Sequence, residues 1–177
     1  MFEPEFDLIS RCLKREVDAE YELYHRFASE MFGICMRYAG NEMEAEDILQ
    51  NGFIRLFCNL HQFRFEGTFN RWVQLVFVNT AINYYRSNLK FNLEVELTDD
   101  QADETMEDAL SILSTKELLA MIQALPPGYR TIFNMFVIEN YEHKEIAKLL
   151  GISEKTSKSQ LHRAKNRLRL MLKDIER

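Results

Sequence analysis

The stretch HKEIAKLLGISEKTSKSQLHRAKNRLRLML, residues 143–172, decides the fold. Ala147 is a small residue in the middle of a short helical pattern, and Gly151 follows just past its end. Glycine at that position can take the left-handed conformation that stops a helix sharply. Ile152 then anchors the turn, and Ser153 is a good cap for a second helix. A short helix, a tight glycine turn and a capped second helix spell a helix-turn-helix.

The second helix sorts its residues by face. Leu161, Ala164, Leu168 and Leu172 fall on one side, with Ser157 at its edge; Lys155, Lys158, Ser159, His162, Lys165 and Arg169 fall on the other. A helix end rich in Lys, Ser and Gln can reach base edges in a major groove, while later cations hold phosphates. A solvated basic face would carry the same residues; the turn that precedes this one favours the nucleic-acid reading.

Working outward, charge is distributed unevenly. The net charge of −6 argues against a nucleic-acid partner only as an average. Residues 141–177 hold ten Lys/Arg against five Asp/Glu, whereas residues 92–110 hold eight acidic residues and no basic one. A basic module and a separate acidic segment follow from that split. The acidic segment lacks the apolar content to bury a core and reads as a linker.

Upstream of the linker the pattern is helical throughout. Helices are expected at residues 7–15 and 18–39, the second with Tyr21, Tyr24, Phe27, Met31, Ile34 and Tyr38 at helical spacing. Gly40 and Asn41 interrupt, and Asn41 caps a third helix whose positive end gathers Glu42, Glu44 and Glu46. Its apolar stripe is Ala45, Ile48, Leu49, Phe53, Leu56, Phe57 and Leu60, with Asp47, Gln50, Asn51 and Arg55 on the other face. A fourth helix at about 70–87 sets Phe69, Trp72, Val73, Val76, Phe77 and Tyr84 on a broad apolar arc. Asn79, Asn83 and Arg86 form a narrow polar stripe beside Trp72. Downstream of the linker, helices are expected at 129–139, 143–150 and 153–173, after a break at Pro126-Pro127-Gly128. The fold class is therefore all-α: two small helical domains, residues 1–90 and 113–177, joined by an acidic linker at 91–112.

Several function classes are disfavoured. No apolar run approaches the roughly 18 residues of a membrane span, so no membrane insertion is expected. Residues 1–10 are acidic, unlike the start of a secretory signal, which makes a cytoplasmic location the expectation. Cys12, Cys35 and Cys58 show no CxxC spacing, so neither metal nor disulfide is expected; Cys35 and Cys58 read as buried thiols. Nucleophile–base pairs, phosphate loops and paired carboxylates are lacking too, so neither catalysis nor a cofactor is expected.

The segment LPPGYRTIFNMFVIENYEHKEIAKLLGISEKTSKSQLHRAKNRL, residues 125–168, resembles the −35-binding domain of extracytoplasmic-function (ECF) RNA polymerase sigma factors of the sigma-70 family. Residues 41–87 resemble the same family's −10-binding and polymerase-binding domain, in the family's order. The resemblance implies promoter-specific transcription initiation through core RNA polymerase and promoter DNA. Asp47, Gln50, Asn51 and Arg55 would meet the clamp helices of the polymerase's largest subunit, and the second domain would meet its flap. Phe65, Trp72, Asn79, Asn83 and Arg86 would serve the −10 element, where unstacked bases favour aromatic platforms and amides; Phe65 and Trp72 also fit core positions. Lys155, Lys158, Ser159, His162 and Arg163 would face the −35 element. The acidic stretch 94–108 matches a linker that threads polymerase channels in the family, although a solvated tether would have the same composition. A membrane-linked anti-sigma factor is implied as a restraining partner, and nucleoid association is implied in holoenzyme.

The chain departs from the family pattern in places. Asn51 stands where an acid is usual, and Gln74 and Leu75 where bases are frequent. Lys155 replaces a common glycine. Ser157 replaces a branched apolar residue, from which slightly loose packing is expected. A stand-alone helix-turn-helix regulator is the alternative that the C-terminal segment alone would allow.

Overall fold

The computed structural model describes residues 4–88 and 115–175. Among them every regular element is helical. In order these are α1 (Pro4–Leu13), α2 (Val17–Tyr38), α3 (Glu42–Asn59) with a 3-10 turn at Leu60–Gln62, and α4 (Phe69–Asn88); then α5 (Thr115–Gln123), α6 (Pro127–Phe133) continuing as a π-helical turn at Asn134–Ile138, α7 (His143–Leu150) and α8 (Glu154–Ile175). The all-α expectation holds, with helix ends displaced by a few residues. The acidic stretch 94–108 lies outside the described residues.

The chain forms two compact units, Met1–Ala81 and Ile82–Arg177, with the division falling inside α4. In the first unit α1 and α3 both pack on α2. Leu8, Ile9 and Cys12 of α1, Leu23, Phe27, Met31 and Cys35 of α2, and Ile48, Phe53 and Leu56 of α3 are buried. They meet Phe69, Val73 and Phe77 of α4: Phe27 is edge-on to Phe69 with centroids 5.6 Å apart, and Phe53 is edge-on to Phe77 at 5.0 Å. Asn41 caps α3 as expected, its Oδ1 accepting from the Glu44 N–H at 2.9 Å, while the Glu44 carboxylate accepts from the Gly40 N–H at 2.8 Å.

Two expectations for this unit need correction. Phe27, Met31, Ile34 and Tyr38 of α2 are buried as expected, but near the start of the helix Ala19 and Leu23 fill the core, which leaves Tyr21 66 % and Tyr24 40 % exposed. Tyrosine tolerates this because its ring is amphipathic; Tyr21 packs on His25 at 4.1 Å and Tyr24 on Phe53 at 4.6 Å. Cys58 is exposed instead of buried, one position past the half-buried Phe57 on the helix wheel. Cys12 and Cys35 are buried, and burial pushes their thiols up to about 11 and about 12.

In the second unit α8 is the central strut, with α5, α6 and α7 packed on it. Its buried line runs Ser157, Leu161, Ala164, Leu168 and Leu172. Opposite stand Met121, Ile122, Leu125, Ile132, Phe133, Met135, Ile146 and Leu150. Arg130 is buried too, and its Nη1 donates to the Gln123 carbonyl at 2.7 Å, covering an acceptor at the end of α5.

Candidate nucleic-acid interface

The α7–α8 turn has the geometry its residues dictate. Glu142 precedes α7, and its N–H donates to the Glu145 carboxylate at 2.8 Å. Gly151 ends the helix at φ 70° and ψ 34°, in the left-handed region. The N–H groups of Gly151 and Ile152 both donate to the Ala147 carbonyl, the latter at 3.1 Å, which reverses the chain within two residues. Ser153 then caps α8, its Oγ accepting from the Thr156 N–H at 3.0 Å.

This turn presents the first two turns of α8 outward. Lys155, Lys158 and Ser159 are exposed, and His162 and Arg163 are half-buried further along. The five expected residues therefore lie along one helix, with the small and cationic ones at its N-terminal end. Sequence reasoning passes over Asn166, which ties this face together: its Nδ2 lies 2.9 Å from His162 Nε2, and its Oδ1 accepts from Arg169 Nη1 at 3.0 Å. The i, i+4 and i, i+3 spacing was the available signal.

Ser157, at which slightly loose packing is expected, has a polar partner. It is 0 % exposed, and its Oγ lies 2.9 Å from Nδ1 of His143 at the start of α7. The His143 ring stacks on Phe136 of the π-helical turn, with centroids 4.4 Å apart and planes 22° from parallel. Burial holds the imidazole below its usual range; Lys158 pushes the same way, Glu154 opposes, and Lys165 adds a smaller push downward.

In the first unit Asp47, Gln50, Asn51 and Arg55 are all exposed on α3. Met43 and Ile54 on the same helix are exposed as well, giving this surface apolar content beside its polar groups. Asn51 spends its amide locally, Nδ2 donating to the Asp47 carbonyl at 2.8 Å.

On α4, Asn79, Asn83 and Arg86 are exposed. The loop before it carries an aromatic cluster. Trp72 is half-buried, parallel to Phe69 within 17° at 5.8 Å and 5.6 Å from Phe63. Phe65 lies 4.7 Å from Phe63 and 5.4 Å from Phe6 of α1, yet is 53 % exposed. Its φ of 58° is one that bulky side chains rarely adopt. Gln74 donates from Nε2 to Glu30 on α2 at 2.9 Å, so this departure from the family pattern has a local partner. Arg64 and Arg71, exposed cations on either side of Phe65 and Phe69, are further candidates the pattern reading passes over.

Among the described residues no helix is long and apolar enough to cross a membrane. Comparison with known proteins gives two family matches: "Sigma-70 region 2" over residues 23–90 and "Sigma-70, region 4" over residues 115–168. The chain is 28 % identical over 179 residues to the ECF RNA polymerase sigma factor SigW of Bacillus subtilis (strain 168), covering 94 % of this chain and 96 % of that one. It is 26 % identical over 155 residues to the ECF RNA polymerase sigma factor SigM of the same organism, covering 85 % and 93 %. Its fold is similar to that of the sigma factor RpoE from Bartonella quintana, solved in complex with the anti-sigma factor NepR. The TM-score is 0.50 at 15 % identity, over 89 % of this chain and 98 % of that one.

Proposed function

Because the chain belongs to the sigma-70 family, as an extracytoplasmic-function sigma factor for transcription initiation, we propose that it reads promoters in two places. Residues 113–177 bind the −35 element as duplex. Residues 1–90 bind core RNA polymerase and the −10 element, and residues 91–112 link the two. The observation that carries this is the occurrence of both family regions in order on one chain, the second with an exposed basic edge on α8.

In this reading Lys155, Lys158 and Ser159 enter the major groove, while His162 and Arg163 reach the flanking backbone. The α3 surface of Asp47, Gln50, Asn51 and Arg55 docks on the clamp helices of the polymerase's largest subunit, with Met43 and Ile54 supplying apolar contact. The second domain meets the flap. Phe65 and Trp72 offer faces for unstacked bases; Asn79, Asn83 and Arg86 hydrogen-bond the opened strand, with Arg64 and Arg71 on its phosphates. The chain contributes binding and strand opening, and the polymerase contributes bond formation. It acts in the cytoplasm, on the nucleoid when in holoenzyme. An anti-sigma factor that covers the α3 and α8 surfaces would restrain it, an idea supported by the anti-sigma complex of the structural relative.

The test is transcription by purified core polymerase from a random promoter pool, with and without the full chain. Enrichment of templates sharing two elements at fixed spacing is expected only with the chain present. Failure of core polymerase to bind the chain would sink the reading.

A further inference from the structure

The end of α8 that faces DNA in the proposed function is the end with the least apolar anchorage. Leu161, Ala164, Leu168 and Leu172 grip the helix from its second turn onward. Within the first turn the only fully buried side chain is Ser157, which is small and polar, and Thr156 beside it is half-buried. A side chain of that size offers little area to hold a helix by packing. What it has is one directional contact, Oγ to His143 Nδ1 at 2.9 Å. A hydrogen bond is sensitive to angle as well as distance, so it constrains the roll of α8 about its axis where packing does not.

His143 is itself held. Its ring lies on Phe136, and its backbone opens α7 two residues beyond Tyr141, whose N–H donates to the Met135 carbonyl at 2.9 Å. The π-helical turn, α7 and the reading end of α8 therefore meet at one imidazole. Ser157 is flanked in sequence by Lys158, with Ser159 next. Any change of roll at Ser157 carries both of those exposed side chains with it.

We propose that His143 is a positioning residue for DNA reading, its bond to Ser157 setting the rotation of α8 that aims Lys155, Lys158 and Ser159 at the −35 element. The inference rests on the −35 reading above and assigns a role to two residues that touch no DNA. It also explains how Ser157 replaces a branched apolar residue: a directional bond takes over the anchoring that side-chain volume would otherwise give.

The test uses holoenzyme reconstituted with full-length wild type, Ser157→Ala, His143→Phe and the double variant. His143→Phe keeps a ring on Phe136 while removing the polar partner of Ser157. The probes are promoter fragments enriched by wild-type holoenzyme, and the same fragments with the −35 element scrambled. Binding is measured at a temperature where circular dichroism shows every variant folded, and the readout is the affinity ratio between the two probes.

Each single variant is expected to lower that ratio about three- to tenfold, with affinity for the scrambled probe unchanged. The double variant should do no worse than either single one, because both remove the same bond. A lowered Tm with an undiminished ratio would make the pair structural only and overturn the inference. Losses that multiply in the double variant would overturn it as well. If wild type fails to distinguish the probes, the −35 reading falls and takes this inference with it; if wild type distinguishes them and the variants do so equally, the inference falls alone.

Discussion

The ring of Phe77 in α4 occupies the space that a β-carbon on Gly52 of α3 would fill. Both residues are buried, and Phe53 stands edge-on to the same ring. Gly52 thus leaves the room on α3 that the ring of Phe77 fills. Helix propensity alone favours alanine there by up to about 1 kcal/mol. Overpacking a filled core costs about 1–3 kcal/mol, more when an enclosed ring must move. Gly52→Ala should therefore lower Tm by several degrees, read by circular dichroism on the full chain. An unchanged or raised Tm would mean that Phe77 can yield.

Gly151 poses the opposite case. Nothing lies within 4 Å of a β-carbon built there, so the penalty comes from φ 70° alone. Gly151→Ala should cost about 1–2 kcal/mol, and Gly151→Asn less, since asparagine tolerates the left-handed region. Thermal melts of the two variants should rank in that order.

How much of this was legible in the sequence depends on the range of the interaction. The α7–α8 turn is local: Gly151, Ser153 and the apolar spacing of α8 sit within a few residues, and the structure keeps all of them. The Asn41 cap is local too. The fit of Phe77 on Gly52 spans two helices, and no period announces it. Ser157 shows the limit most plainly. Read along its own helix it looks like a packing defect; its partner His143 lies fourteen residues away on another element. For α2 the pattern finds Phe27, Met31, Ile34 and Tyr38 in the core and misses only at Tyr21 and Tyr24, which count as apolar in a pattern yet tolerate water. On the interfaces, the face pattern finds residues that do stand exposed on α3, α4 and α8, while Asn166, Arg64 and Arg71 fall outside the stripes it follows, although the spacing of Asn166 from His162 and Arg169 is legible.

Lys158 is exposed and close to the helix end proposed to enter the groove. Lys158→Ala should leave Tm nearly unchanged, as surface substitutions usually do within about 0.5 kcal/mol. Holoenzyme affinity for promoter fragments, plotted against salt on logarithmic axes, should lose about 0.9 of slope if one phosphate contact is gone. An identical slope would remove Lys158 from the phosphate contacts.

Asn83 stands exposed on α4, among the residues proposed to serve the −10 element. Asn83→Ala should leave polymerase binding intact and reduce strand opening. Permanganate reactivity of −10 thymines, measured on holoenzyme–promoter complexes, should fall severalfold. Normal reactivity would take Asn83 out of the melting step.

His143 should also leave a trace in the pH dependence of stability. Burial, reinforced by Lys158 and Lys165, sets its folded value below the unfolded one near 6.5. The unfolded chain then binds more protons than the folded one between those two values. Stability is accordingly full above about 6.5 and is lost as pH falls from there through the folded value. Between pH 7.5 and 5.5, wild type should lose more Tm than His143→Phe. Parallel profiles would show that the imidazole is equally easy to protonate in both states.

The separation of faces on α8 has a consequence for how such proteins diversify. Ser157, Leu161, Ala164, Leu168 and Leu172 hold the helix, and Lys155, Lys158 and Ser159 share no position with them. A mutation at the outer three leaves the interior untouched, so a duplicated copy could drift towards a new promoter without first losing its ability to fold. The same division offers an engineer three sites to randomise when seeking an orthogonal copy, and names the residue pair, His143 and Ser157, to hold constant while doing so.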